Sequence, residues 1–224
     1  ASNNTAIGHS SLYANTTGAF NTALGRLAGA SNTTASRNTF VGQSAGTTNT
    51  TGGFNVAVGD NALLSNTTAS NNTAIGKDAL LANTTGSSNS SLGLNSLYGN
   101  TTGANNTAVG RSALQSNTTA ANNVAMGYGA LQLNTTGANN VAIGSLTLDA
   151  ATTATGNTAV GQGSMSTTTT GAANVAMGLS SLYSNTTGAN NTALGYSSLF
   201  ANTTGDNNIA VGAYALDANT TAIN

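Results

Sequence analysis

Side chains that could act as acids, bases, nucleophiles or metal ligands are few in this sequence and are not grouped. Among 224 residues there are one histidine, five acidic residues, four Lys or Arg residues and no cysteine. Catalysis and metal binding both need several such groups to converge on one point. The five Asp residues are scattered, and His9 stands at a position that elsewhere holds Arg, Gln or Tyr, which indicates a solvated side chain. The sequence therefore predicts no catalytic, cofactor or metal site and no enzyme activity.

The basic residues give no reason to expect a nucleic-acid or membrane partner. Arg26, Arg37, Lys77 and Arg111 are far apart, and the net charge is −1. Nucleic acids and anionic membranes attract clustered Lys and Arg side chains instead. No run approaches the ~18 apolar residues that a bilayer-spanning helix needs. We expect neither nucleic-acid binding nor membrane insertion.

One motif with known chemistry does recur: Asn-Thr-Thr fits the Asn-x-Ser/Thr acceptor sequence for N-glycosylation. Two interpretations stay open. Either glycans are attached along one or two edges, or Asn and Thr are unmodified and form hydrogen-bonded ladders. The predicted acceptors are Asn15, Asn32, Asn49, Asn66, Asn83, Asn100, Asn117, Asn134, Asn185, Asn202 and Asn219. Asn-Asn-Thr and Asn-Ser-Ser also fit the acceptor pattern, at Asn3, Asn71, Asn105, Asn190 and Asn89.

These motifs belong to a 17-residue repeat that runs through the chain without an insertion or deletion. Its consensus is N-T-A-(aliphatic)-G-x-x-(A/S)-L-x-x-N-T-T-(G/A)-x-N, and we number its positions 1 to 17 from the first Asn. Such periodicity overrides the disorder that a polar, low-complexity composition would otherwise suggest. Residues 1–224 are therefore interpreted as a single repeat array. The thirteen units begin at Asn4, Asn21, Asn38, Asn55, Asn72, Asn89, Asn106, Asn123, Asn140, Asn157, Asn174, Asn191 and Asn208.

The residue types at each repeat position predict which side chains are buried. Position 4 is always aliphatic and position 9 is Leu in ten units, so both are predicted to form inward ladders. Charged residues occur only at positions 6, 7, 10, 16 and 17, and positions 6, 7 and 10 are predicted to be mostly exposed because an unpaired buried charge is costly. Gly29 and Gly46 replace Leu at position 9, which predicts weak second and third coils. The near-invariant Ala of position 3, pointing away from position 4, is predicted to lie against something close, such as a second chain.

Alternation over positions 2 to 4 indicates a short strand, and Gly at position 5 indicates a tight corner. The middle of the repeat, for example Lys77 to Ala82, fits either a strand or one helical turn. We predict an all-β fold, a β-solenoid (β-roll or β-helix) of thirteen 17-residue coils. Coils stacked at ~4.8 Å would make an elongated rod, which could pack against other chains.

The units resemble a known repeat class in such segments as Asn106-Thr107-Ala108-Val109-Gly110 followed by Ser112-Ala113-Leu114. They are similar to the NTAxGxxAL…NTTG repeats of bacterial and phage tail-fibre-like or haemagglutinin-like surface proteins. More distantly they resemble the head repeats of trimeric autotransporter adhesins, whose period is typically shorter. The resemblance implies an extracellular, elongated and often trimeric β-roll at a cell or virion surface.

From these features we expect a structural component of an extracellular filament or fibre shaft, built by coil stacking and self-association. The expected partner is the chain itself, laterally or head to tail, and the repeat register at both termini predicts that the array continues end to end. An adhesin or receptor-binding head is the alternative. Aromatic residues at position 10 would then form a discontinuous stripe for sugar stacking, unless they pack against a neighbouring chain (Tyr13, Tyr98, Tyr183 and Phe200). Stacked Thr residues make ice binding a minor alternative.

Overall fold

The computed structural model describes residues 2–222, and their only regular elements are short β-strands joined by turns. Each strand has three residues and occupies positions 2 to 4 of its repeat. The middle of the repeat, which the sequence left open, consists of successive turns. The prediction of an all-β chain is confirmed. The thirteen strands are β1 (Thr5–Ile7), β2 (Thr22–Leu24), β3 (Thr39–Val41), β4 (Val56–Val58), β5 (Thr73–Ile75), β6 (Ser90–Leu92), β7 (Thr107–Val109), β8 (Val124–Met126), β9 (Val141–Ile143), β10 (Thr158–Val160), β11 (Val175–Met177), β12 (Thr192–Leu194) and β13 (Ile209–Val211).

The described chain forms two compact units, residues 2–111 with 117–119 and residues 112–116 with 120–222. In each unit, every strand pairs in parallel with the next strand along the chain. The partners are equivalent repeat positions, as in Ile75 with Leu92 in the first unit and Met177 with Leu194 in the second. One repeat therefore makes one coil, which confirms the predicted β-solenoid with 17-residue coils.

Hydrogen bonds between coils continue far beyond the three-residue strands. In the first unit, the amide of Leu12 donates to the carbonyl of Ala28 at 3.0 Å and that of Thr84 to Thr101 at 2.9 Å. The amide of Gly25 donates in the opposite direction along the stack, to Ile7 at 2.8 Å. Since turns as well as strands pair with the neighbouring coil, most of the backbone finds its partners there, which compensates for the small amount of regular structure.

The phase of the strand is opposite to the prediction. Position 3 is buried in every repeat except the first, while position 4 lies on the outer face. Ile75, predicted to be buried, is 37% exposed, and its equivalent Leu92 is 48% exposed. Ala74, the middle residue of the strand that ends at Ile75, is fully buried. The interior holds Leu80 of position 9 in the same coil, so only a small residue fits opposite it. The prediction of inward ladders is thus correct for position 9 and wrong for position 4, and the Ala of position 3 contacts the chain's own core.

Exposure at the turn positions also differs in part from the prediction. Position 6 is mostly exposed, as predicted, with Lys77 as an example. Positions 7 and 10 are mostly half-buried instead, and the Asp78 side chain is only 17% exposed. Position 7 has a positive φ throughout the repeats, 56° at Asp78 for instance, because the chain turns sharply there. That turn brings the side chain close to its equivalents in adjacent coils.

Glycine is required at position 5 by both backbone conformation and space. Gly76 has a φ of 132°, a region that side chains rarely adopt. A Cβ atom added there would lie 2.6 Å from the carbonyl oxygen of Gly93 in the next coil. Every repeat therefore turns at the same point, and the glycines stack on one another.

Phe40 fills the space at Gly29 and Gly46, the two glycines from which weak second and third coils are predicted. Phe40 stands at position 3 in place of the usual Ala, and its ring is fully buried. A Cβ atom at Gly29 would lie 2.6 Å from the ring, and one at Gly46 would overlap it more closely still. One large residue thus fills the space of two missing Leu side chains.

Candidate functional site

The scattered titratable residues stay scattered in the folded chain. Among residues 2–222, no group of three or more His, Cys, Asp or Glu side chains could hold a metal ion. His9 is exposed, and its Nδ1 atom lies 3.1 Å from the hydroxyl of Ser10. The ion pair between Lys77 and Asp78, at 3.8 Å, joins neighbouring residues on the surface. No helix in the described part of the chain is long and apolar enough to cross a membrane.

The Asn residue of Asn-Thr-Thr, at position 12, is an interior residue. The Nδ2 atom of Asn83 donates to Oδ1 of Asn66 in the preceding coil and to the carbonyl of Gly86, both at 2.9 Å. Its own Oδ1 accepts from Nδ2 of Asn100 at 2.9 Å. Each side chain is thus one rung of an amide ladder. Ala151 and Thr168 interrupt this ladder in the ninth and tenth coils.

A second amide ladder is formed by the Asn residues of position 1. Oδ1 of Asn72 accepts from the backbone amide of Asn89 at 2.9 Å, and Nδ2 of Asn72 donates to the carbonyl of Gly86 at 3.0 Å. Asn83 donates to the same carbonyl. Both ladders therefore converge on position 15, where one carbonyl oxygen accepts from two buried amides.

This geometry decides which predicted glycan acceptors can be reached. Asn15 and Asn219 are half-buried, and the nine other position-12 acceptors are fully buried, with no space for a glycan in the folded chain. Their bonding is that of the unmodified ladder. Asn89 is likewise buried, whereas Asn3, Asn71, Asn105 and Asn190 are exposed. The nine fully buried acceptors are Asn32, Asn49, Asn66, Asn83, Asn100, Asn117, Asn134, Asn185 and Asn202.

The two Thr residues of Asn-Thr-Thr differ in environment. Position 13 is mostly half-buried, and its hydroxyl donates to the next coil, as from Thr84 to the carbonyl of Thr101 at 3.0 Å. Position 14 is exposed in all thirteen repeats. The Thr residues therefore present a single exposed row of hydroxyl groups, that of position 14, because the hydroxyls of position 13 donate to the main chain.

The outer face of the strands is the most regular exposed apolar feature of each unit. Positions 2 and 4 point outward together, with Thr, Val, Ile or Ser at position 2 and a large aliphatic residue at position 4. Met177 is 44% exposed and Ile143 38% exposed in the second unit, much as Leu92 is in the first. No charged residue occurs at positions 1 to 5 of any repeat. We call this surface the strand face.

Aromatic side chains form a cluster on another side of the second unit, which we call the aromatic cluster. The rings of Tyr183 and Phe200 stack with centroids 5.3 Å apart and planes 9° from parallel. The rings of Tyr196 and Tyr214 meet edge to face, with centroids 5.0 Å apart and an angle of 87°. Phe200, Tyr196 and Tyr214 line a surface cleft of about 290 Å³, together with Ser197 and Asp217.

One hydroxyl group in the cleft, that of Tyr214, has an altered pKa. A hydrogen bond with Tyr196 raises the pKa of Tyr214 above its ordinary value, and partial desolvation and the negative charge of Asp217 act in the same direction. Tyr214 thus presents a phenol hydroxyl beside the carboxylate of Asp217 in the lining of the cleft. Polar and aromatic groups thus share a small surface.

Sequence reasoning identified only half of the aromatic cluster. Of the predicted position-10 stripe, Tyr183 and Phe200 come together, while Tyr13 and Tyr98 belong to the first and sixth coils. Tyr196 and Tyr214 were missed because they stand at positions 6 and 7. Their separation of one repeat plus one residue was the available signal, since it places them on adjacent coils.

No family model matches this chain, and neither the curated proteins nor the solved structures give a significant match.

Proposed function

We propose that this chain is a structural module of an extracellular filament or fibre shaft, in which copies associate side by side through the strand face. The observation that carries the proposal is the outward-facing aliphatic residue at position 4, which is exposed or half-buried in every repeat. Exposed apolar surfaces that continue over a long distance are typical of protein interfaces. Burying a half-exposed aliphatic side chain contributes about 1 kcal/mol, and the contribution recurs with each repeat.

A second copy of the chain is the partner that fits this face best. The aliphatic residues recur once per coil, and another chain with the same 17-residue coil would match that spacing all along the contact. The charged side chains of positions 6, 7, 10, 16 and 17 lie outside the strand face, so two copies bring no like charges together there. Self-association through this face therefore requires no special sequence beyond the repeat.

The coil interior supports the structural role independently. The core consists of Ala, Leu and Asn ladders whose polar atoms are largely satisfied within the stack. Such an interior adds rigidity with every coil, because each coil provides hydrogen-bond partners for the next. It also leaves the outer positions free to carry an interface. A fibre shaft on a cell or virion surface needs these two properties.

The chain offers matched variants for testing the interface. Leu92 and Leu94 are in the same coil and are 48% and 40% exposed, but only Leu92 belongs to the strand face. Met177 and Leu179, 44% and 46% exposed, form the corresponding pair in the second unit. We expect Leu92→Glu/Met177→Glu to lower the association constant at least ~100-fold, because charge enters an apolar contact. Leu94→Glu/Leu179→Glu should leave it within about threefold.

Sedimentation equilibrium measures the association, and far-UV circular dichroism verifies that both variants keep the fold. A wild-type chain that stays monomeric at ~100 μM would refute the proposed lateral contact. So would a wild-type oligomer that the Leu92→Glu/Met177→Glu chain retains unchanged.

A further inference from the structure

We propose that the aromatic cluster binds a neutral pyranose unit of a glycan, in the cleft lined by Phe200, Tyr196, Tyr214, Ser197 and Asp217. The cleft lies at positions 6, 7 and 10 of the last two coils, away from the strand face. It therefore stays accessible when copies associate as proposed above. The inference does not depend on that association, because the residues that carry it all belong to one chain.

The aromatic surface is exposed in a manner that suits a saccharide. Tyr196, Tyr214 and Phe200 are 45%, 56% and 39% exposed. Tyr196 and Tyr214 are held in place by their edge-to-face contact with each other. Phe200 is held by its stack on Tyr183. Aromatic faces carry partial negative charge, so they attract the partly positive C–H groups on the apolar face of a pyranose. Rings already fixed in place lose little conformational entropy when a ligand binds.

The polar groups on the rim add hydrogen-bonding capacity. The exposed carboxylate of Asp217 only accepts hydrogen bonds, which suits the hydroxyl groups of a sugar. The hydroxyl of Ser197, whose side chain is mostly buried, provides both a donor and an acceptor at the side of the cleft. An uncharged Tyr214 hydroxyl adds another such group. A volume of about 290 Å³ corresponds to a small ligand such as one sugar ring.

The negative charge of the Asp217 side chain restricts the class of sugar that the cleft can bind. Asp217 is the one acidic residue among the described residues that line the cleft, and its carboxylate would repel the carboxylate of a uronic or sialic acid. Neutral hexoses and N-acetylhexosamines encounter no such repulsion. The cleft therefore favours neutral sugars over acidic ones.

Tyrosine fluorescence and saturation-transfer NMR provide two readouts of binding on the full chain. The chain has six Tyr residues and no Trp, and three of the six belong to the aromatic cluster. The probes are glucose, galactose, mannose and N-acetylglucosamine, with glucuronic acid as the acidic comparison. We expect saturable millimolar binding of at least one neutral sugar and at least ~10-fold weaker binding of glucuronic acid.

Variants of the residues that line the cleft test whether the sugar binds there. Tyr214→Ala and Tyr196→Ala should each weaken binding about tenfold or more, and Asp217→Asn should weaken it several-fold, by loss of stacking and of a charged acceptor. Tyr98→Ala is the matched control, because Tyr98 is 40% exposed and lies in the sixth coil, outside the aromatic cluster. Tyr214→Phe keeps the ring and should retain most of the affinity if an alanine variant unfolds.

Three results would overturn the inference. They are absence of saturable binding by every neutral sugar, stronger binding of glucuronic acid, and binding that Tyr196→Ala, Tyr214→Ala and Tyr214→Phe all leave unchanged. The Leu92→Glu/Met177→Glu chain should bind the sugar as the wild type does. Failure of the lateral contact and failure of the saccharide site are therefore distinguished.

Discussion

Phe40 shows how one residue changes what its neighbours require. At position 3 the other twelve repeats have Ala or, once, Ser, and in eleven of these twelve the interior space is filled by Leu or Met at position 9. With Phe40 in the core, Gly29 and Gly46 become necessary, because their added side chains would collide with the ring. From the sequence alone the two glycines indicate weak coils. The repeat pattern does not show that Phe40, at position 3 of the third coil, fills the space at position 9 of both the second and the third coil.

Truncating this ring should destabilise the chain strongly. We expect Phe40→Ala to lower the free energy of unfolding by about 3–5 kcal/mol, because it opens a cavity that neither glycine can fill. Urea unfolding followed by circular dichroism measures the change. The triple variant Phe40→Ala/Gly29→Leu/Gly46→Leu returns these coils to the consensus and should recover most of the loss. Equal stability of the single and triple variants would contradict the packing described.

The buried amide ladder makes a second prediction at this scale. Asn83→Ala removes two donated hydrogen bonds and one accepted bond. We expect it to cost about 3 kcal/mol, because polar atoms of Asn66 and Asn100 lose a partner inside the core. Thr85→Ala changes an exposed residue of the same Asn-Thr-Thr motif and should stay within about 0.5 kcal/mol.

The same unfolding measurement compares these two variants. A cost at Asn83 no larger than that at Thr85 would mean that the ladder adds nothing to stability. The converse change, Ala151→Asn/Thr168→Asn, inserts the two missing rungs and should stabilise the second unit by about 1 kcal/mol.

At the scale of the element, the sequence located the strand but not its orientation. Alternation over positions 2 to 4 and the glycine at position 5 were sufficient to place a three-residue strand and its corner. Both faces of that strand are uncharged, so the confinement of charges could not show which face is inside. Residue size favours the larger aliphatic residues of position 4 for the core, yet the coil is too narrow to hold them opposite Leu at position 9. Coil width is a tertiary property, and the repeat pattern does not contain it.

The corner after the strand can be tested with two glycines of one coil. Gly161, at position 5, has a φ of 128°, and an added Cβ would overlap the carbonyl group of Gly178. Gly163, at position 7, has a φ of 62°, and the nearest atom to an added Cβ is 3.7 Å away. We expect Gly161→Ala to cost about 3 kcal/mol or more, and Gly163→Ala only about 1 kcal/mol.

Thermal unfolding of the two alanine variants gives the comparison, since both changes add a single methyl group to the same coil. Similar melting temperatures would show that the position-5 corner is not strained by a side chain.

The aromatic cluster could not be predicted from the repeat pattern at this scale. Its four rings come from three repeat positions, and only the stacking of coils brings them together.

At the scale of the whole molecule, charge has almost no part in the fold. Only 4% of the residues are charged, and the ion pair between Lys77 and Asp78 joins residues that are adjacent in the sequence. Stability must come from packing and hydrogen bonds, which salt screens little. The sequence composition was sufficient for this conclusion, because nine charged residues cannot form an extended network.

Salt should therefore separate this chain from proteins that rely on electrostatic contacts. Between 20 and 500 mM NaCl we expect the free energy of unfolding to change by less than about 1 kcal/mol. Lateral association should be equally insensitive to NaCl but stronger in ammonium sulfate, which favours burial of apolar surface. Urea titrations and sedimentation equilibrium provide the two measurements. Dissociation of copies by 500 mM NaCl would point to a charged interface instead of the strand face.

The in-register stacking of equivalent positions has a consequence for inheritance. A gene that encodes identical coils can gain or lose whole repeats by unequal recombination, and the new joint pairs as the old one did, so length variants still fold. The second coil, with Gly29, and the third coil, with Phe40 and Gly46, are the exception. A crossover that separates Phe40 from Gly29 or Gly46 leaves either a collision or a void. Natural variants of different length should therefore transmit these two coils as one block.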